Sequence, residues 1–137
     1  MNMQNKSILI VDDDERLLRA LEKTLTSEGA TITSTQWAGD AVEILIRREK
    51  AIDLVITDLR MPLVNGMTLV YAIHLMFPAT PVIVLTAFGN RELREECIRQ
   101  GAVGFLEKNL STSKLLTAIQ DVLAAPKAGP QMLARNE

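Results

Sequence analysis

The sequence predicts an α/β fold, a doubly wound five-stranded parallel sheet with helices on both faces, and three observations carry that prediction. Five short apolar runs rich in β-branched residues alternate with amphipathic stretches. Four of the runs are mainly continuous in their apolar character, which suits strands covered on both faces. Five strand–helix pairs occupy about 120 of the 137 residues, which leaves room for little beyond right-handed crossovers between parallel strands.

The first strand is "SILIV" (7–11), followed by an apolar stripe at helical spacing, Leu17, Leu18, Leu21 and Leu25, which Gly29 ends as a C-terminal cap. "TITST" (31–35) carries threonines and is expected at a sheet edge, and Ala38, Ala41, Val42, Leu45 and Ile46 form the second helical stripe. "LVIT" (54–57) is the third strand; Leu69, Val70, Ile73 and Phe77 make a helix stopped by Pro78. After "PVIVL" (81–85), residues 91–100 give a weaker helix, with Leu93 and Ile98 among charges and Gly101 closing it. "VGFLE" (103–107) is the last strand. The capping residues "STS" (111–113) then open a helix carrying Leu115, Leu116, Ile119, Val122 and Leu123. Pro126, Gly129 and Pro130 mark a linker-like end, so the division expected is a tail at 1–6, a domain at 7–124 and a tail or linker at 125–137.

A hydrophobic share of 47% with 23% charged residues fits a globular domain, and a net charge of −2 provides no basic face for nucleic acid. The single cysteine, Cys97, cannot close an internal disulfide and has no catalytic partner pattern around it, so it is read as a helix residue without chemistry. No apolar run approaches the roughly 20 residues of a membrane span, and "MNMQNKS" lacks the apolar core of a signal peptide. A cytoplasmic location away from membranes is expected.

Ligands of open parallel sheets bind beyond the carboxyl ends of the strands. Asp12, Asp13 and Asp14 follow the first strand, Asp58 the third, Thr86 the fourth and Lys108 the fifth. Asp14, directly before "ERLLRAL", is placed to cap that helix. The other three acids cannot all stay ionised in one cleft unless a cation joins them. A few hard oxygen ligands with open positions suit Mg²⁺ or Mn²⁺. With Lys108 and Thr86 opposite, the set forms a cradle for a phosphoryl group in which Asp58 is the natural nucleophile.

"VDDDE", "VITDLRMPLVNG", "VIVLTA" and "GAVGFLEK", in this order and spacing, resemble the receiver domain of bacterial two-component response regulators, over about Ser7 to Ala124. The resemblance implies a flavodoxin-like (CheY-like) sheet of order 2-1-3-4-5. By the same likeness, Asp58 would accept phosphate from a histidine kinase or phosphotransfer protein. Asp13 would coordinate Mg²⁺ with Asp58 and the backbone carbonyl of Arg60, and Asp12 would act through a metal-bound water. Lys108 would pair with a phosphoryl oxygen, Thr86 would move inward to it, and Phe105 would be the aromatic that follows Thr86. Helix four, strand five and helix five would form the face offered to a downstream effector or to a second copy in a homodimer. Such a module assists only its own phosphorylation and hydrolysis and is not an enzyme acting on other substrates.

One position departs from the family: Asn109 follows Lys108 where proline is usual. A cis bond before a non-proline costs about 2.5–4 kcal/mol, so a trans bond is expected, with the aim of Lys108 altered. Asn109 also keeps open a degenerate receiver that binds partners without phosphate. A third reading, an aspartyl-phosphate phosphatase, rests on the Asp12-x-Asp14 spacing, but Glu15-Arg16 follow and the chain is short for a cap domain. A calcium loop at "DDDERLLRALEK" fails for want of its mid-loop glycine. Arg60 and Phe88 are expected to border the cleft and set water access, with Met61-Pro62 and Gly66 shaping the loop beside Asp58. His74 is read as a surface or packing residue, and Trp37 as one that packs.

Overall fold

Strands β1 (Ser7–Val11), β2 (Thr31–Thr35), β3 (Leu54–Thr57), β4 (Val82–Thr86) and β5 (Gly104–Glu107) form one parallel sheet of order β2-β1-β3-β4-β5. The computed structural model describes residues 2–48, 51–61 and 65–126. Helices α1 (Glu15–Ser27), α2 (Ala38–Arg48), α3 (Gly66–Met76), α4 (Arg91–Arg99) and α5 (Thr112–Ala124) alternate with the strands. The winding reverses beside β1, which places the crevice between the loops after β1 and β3.

Alternation along each strand divides the core into two layers. Leu9, Val11, Val55, Val82 and Val84 pack with α2, α3 and Cys97 of α4, while Ile8, Ile10, Leu54, Ile56, Ile83 and Leu85 pack with α1 and α5. All of these strand residues are essentially buried, and each such side chain contributes roughly 1.5–3 kcal/mol of transfer free energy. β2, with its threonines, is one edge of the sheet and is half-buried except at the exposed Thr31.

Caps fix the helix ends. Asp14, Asn65, Asn90 and Ser111 each accept from a backbone N–H of the helix that follows. Glu28 is the C-cap of α1, and Gly29 follows it at φ +101° with its N–H donating to the Thr26 carbonyl. Gly101, at φ +115°, plays the same part after α4 and lies tight under the His74 ring.

Three sequence expectations need correction. Trp37 does not pack away but is 48% exposed, and Ile46, assigned to the inner stripe of α2, is 66% exposed. In α4, Cys97 and not Ile98 faces the core: Leu93 and Cys97 are four apart on one helical stripe, and Ile98 falls past its edge. Met1, Pro62 and residues 127–137 lie outside the described residues. Among those described, no helix is long and apolar enough to cross a membrane.

Candidate functional site

Register assembles the site from distant segments. Val11 pairs with Thr57, so the next residues, Asp12 and Asp58, emerge side by side; Thr86 pairs with Glu107, so Lys108 emerges beyond it. Backbone bonds continue past the strand ends: Asp12 N–H donates to Thr35 O, Asp58 N–H to Val11 O and Lys108 N–H to Thr86 O.

Asp58 is buried, and both its oxygens are engaged. Oδ1 accepts from Leu59 N–H at 2.7 Å and Oδ2 from Lys108 Nζ at 2.9 Å. Lys108 Nζ also lies 2.8 Å from Asp12 Oδ2, and Asp12 Oδ1 accepts from Asp14 N–H at 2.9 Å. Asp13 is exposed at the rim. Asp12, Asp13 and Asp58 each present an oxygen within 4.8 Å of the others. This donor set, all carboxylate oxygen and open to solvent on the Asp13 side, fits a hard divalent cation. One ammonium against three carboxylates also leaves a surplus of negative charge for such a cation to neutralise.

The electrostatics show the same imbalance. Burial pushes the Asp12 carboxyl above its usual range, against hydrogen bonds from Lys108 and Asp14 and the Lys108 charge, and Asp58 adds to the rise. Burial works to lower the Lys108 ammonium, but hydrogen bonds and charges from Asp12 and Asp58 together outweigh it and raise it.

Asp14 stands apart from the cluster. Its Oδ1 accepts from Arg16 N–H and Leu17 N–H at the start of α1. The Asp12-x-Asp14 pair is therefore divided between two tasks, and the phosphatase reading loses its second acid.

Thr86 is buried at the end of β4, its Oγ1 3.4 Å from Phe88 N–H. Phe105 is half-buried against the α2–α4 layer. No peptide bond among the described residues is cis, so Lys108–Asn109 is trans as expected. The expected change in the aim of Lys108 does not separate it from the acids, since it reaches both Asp58 and Asp12.

Two features were beyond the sequence reading. The Arg60 guanidinium stacks 4.3 Å from the Phe88 ring centroid, joining the loops after β3 and β4. Gly66, read as a turn residue, is instead required by space: a Cβ there would strike the Asp58 carbonyl and lie 2.5 Å from Leu59 Cα. A cavity of about 370 Å³ opens at the opposite end of the sheet, lined by Lys6, Asp53, Pro81 and Val103 among others, and holds none of the strand-end acids.

Residues 8–120 match the sequence profile of the response regulator receiver domain. The chain belongs to that family. This receiver domain is 39% identical over 123 residues to the transcriptional regulatory protein GlrR of Escherichia coli K12, covering 90% of this chain and 27% of that protein. It is 30% identical over 118 residues to the DNA-binding transcriptional regulator NtrC of Proteus hauseri, covering 86% of the chain and 24% of the relative. The chain thus spans about a quarter of the length of these curated relatives.

Among solved structures, the receiver domain superposes with a TM-score of 0.83 and 30% identity on a Borrelia burgdorferi chain from a CheX–CheY–beryllofluoride–Mg²⁺ complex, covering 88% of this chain and 90% of that one. With the receiver domain of an HD domain-containing protein from Pseudomonas fluorescens Pf-5 the TM-score is 0.81 at 31% identity, covering 88% of this chain and 95% of that one. The molecule is a receiver domain of two-component response regulators with the CheY-like fold.

Proposed function

We propose that Asp58 is the phosphoacceptor and that the domain, residues 7–124, works as a phosphorylation-controlled switch in the cytoplasm. The observation that carries this reading is the convergence on one buried carboxylate, at the end of β3, of two further acids from the end of β1 and a lysine from the end of β5. Asp58, Asp13 and the Arg60 carbonyl would hold Mg²⁺ (or Mn²⁺), with Asp12 acting through a bound water. Bound there, the ion supplies charge neutralisation for phosphoryl oxygens.

The chain's own groups account for the rest. Leu59 N–H and Lys108 hold the Asp58 carboxylate in one orientation, leaving it positioned toward an incoming phosphoryl group. Phosphorylation adds about −1.5 to −2 charge and new acceptor oxygens, which Lys108 and the Thr86 hydroxyl are placed to contact. Those contacts exist only in the phosphorylated form, so they bias a two-state equilibrium that Phe105 reports at the surface. The donor is a histidine kinase or phosphotransfer protein. The face made of α4, β5 and α5 engages an effector or a second copy.

The test is incubation with acetyl phosphate and Mg²⁺, read by intact mass. The natural chain gains one phosphate and Asp58→Asn gains none. Equal labelling of the variant overturns the assignment by placing the phosphate on another residue, and no labelling of the natural chain overturns it in favour of the phosphate-independent module.

A further inference from the structure

Gly89 lies in the β4–α4 loop just past Thr86 and Phe88, and its side-chain-free state is a matter of space, not of backbone angle. Positive φ among the described glycines occurs only at Gly29 and Gly101, so the backbone at Gly89 accepts an L-residue. A Cβ there would lie 2.8 Å from Phe105 Cε1, 2.9 Å from Glu107 Oε1 and 3.1 Å from Glu107 Cγ. Non-bonded carbons settle at about 3.5–4.0 Å. Phe105 and Glu107 are two apart on β5, so the pleat puts both on the face that meets this loop. Glu107 is exposed and free to swing aside, whereas the Phe105 ring is packed against the core and must leave its seat.

The loop is also tied to the site. Phe88 N–H donates to Thr86 Oγ1, Lys108 N–H donates to the Thr86 carbonyl, and Asn90 caps α4. A shift of Thr86 therefore moves the ground on which Phe105 rests.

We propose that Gly89 is a positioning residue: its missing side chain is the opening that seats Phe105 against the β4–α4 loop in the resting molecule, and any side chain there unseats the ring. The link to signalling rests on Asp58 as phosphoacceptor; the seat itself belongs to the unphosphorylated chain.

Incorporation of 4-fluorophenylalanine labels the three phenylalanines, and Phe105→Leu assigns its resonance. In ligand-free Gly89→Ala the Phe105 resonance moves toward the position that beryllofluoride with Mg²⁺ produces in the natural chain. The core Phe77 resonance stays in place. Gly39→Ala, at a glycine with nothing within 4 Å of a built Cβ, leaves Phe105 unmoved. Because a bias toward one state and ligand affinity for that state are reciprocal, Gly89→Ala also binds beryllofluoride more tightly. In the double variant Gly89→Ala/Glu107→Ala the ring stays displaced, since Phe105 and not Glu107 is the decisive contact.

A Phe105 resonance unmoved in Gly89→Ala, or moved no further than in Gly39→Ala, overturns the proposal. So does its return in the double variant, or beryllofluoride affinity that is equal or weaker. Failure of the natural chain to bind beryllofluoride would sink the phosphoacceptor reading instead, and the ligand-free spectra would still decide the seat.

Discussion

Lys108 Nζ sits 2.9 Å from Asp58 Oδ2, joining residues fifty positions apart across the end of the sheet. The lysine side chain is 17% exposed and the aspartate 7%, so solvent screens the pair only in part. Because Lys108 also holds Asp12, its loss leaves two buried carboxylates facing each other. Breaking a buried pair on one side costs roughly 3–5 kcal/mol, and partial exposure reduces that here. Lys108→Met is expected to lower unfolding free energy by about 2–3 kcal/mol in chelator, with much of the loss recovered in Mg²⁺. Urea denaturation with and without the ion checks this; a loss independent of Mg²⁺ would assign Lys108 a packing role.

Asp12 carries its charge against the fold, because burial raises its carboxyl despite Lys108. Asn in its place keeps an acceptor for Asp14 N–H while removing the charge. Metal-free Asp12→Asn is expected to gain about 1 kcal/mol, the scale of one buried polar mismatch relieved, and to bind Mg²⁺ more weakly by calorimetry. Lower stability in chelator would show that the Asp12–Lys108 pair outweighs the desolvation.

Gly66 begins α3 against the backbone of Asp58 and Leu59, with its N–H donating to Leu59 O. Backbone atoms cannot swing aside as a side-chain tip can. Gly66→Ala is expected to cost about 2–3 kcal/mol, within the range for overpacking, and to slow labelling of Asp58 by acetyl phosphate. Melting combined with phosphorylation rate tests it; unchanged values in both would mean that the loop gives way freely.

How much of this was legible in the sequence follows from which properties are periodic. Continuous apolar runs and stripes such as Leu18, Leu21 and Leu25 report burial directly, so strands, helices and layers could be read. The site was legible because parallel strands deliver their next residues to one edge, which is why Asp12, Asp58 and Lys108 meet. Close approach carries no such signal. Gly66 and Gly89 look alike in sequence to the open Gly39, yet two of the three are pressed against neighbours. The placement of Ile98 and Ile46 failed because short amphipathic segments fix a stripe only to within about one residue.

Cys97 is fully buried, and burial, with help from the Glu96 charge, pushes its thiol up to about 11 from an ordinary value of 9.0. Between these values the folded chain holds a proton that the unfolded chain has lost, so stability is full below pH 9 and falls as pH rises toward 11. The folded protein is expected to resist iodoacetamide at pH 8 and to react once unfolded in urea. Cys97→Ala should flatten the decline above pH 9, although it costs some stability at neutral pH through the cavity it leaves. Rapid labelling of the folded chain, or an equally steep alkaline decline in the variant, would contradict this account.

Arg60 and Phe88 stand two residues beyond Asp58 and Thr86 respectively, and their stacking links the two loops that flank the Asp58 carboxylate. Phe88 is 61% exposed, so the stack is held by the cation–ring attraction more than by burial; at exposed sites that attraction is worth about 0.5–1 kcal/mol. A cover of this strength opens often, and its removal should admit water to an acyl phosphate without disturbing the Asp58 carboxylate, which Leu59 and Lys108 hold separately. Arg60→Ala and Phe88→Ala are each expected to hasten loss of phosphate by roughly two- to fivefold, the rate equivalent of that energy. The double variant should be no faster than the faster single one, because either change alone breaks the stack. Phosphate release followed after removal of the donor measures all three rates. Rates that match the natural chain would assign the stack to loop stability alone, and fully additive effects would show that the two residues act on water separately.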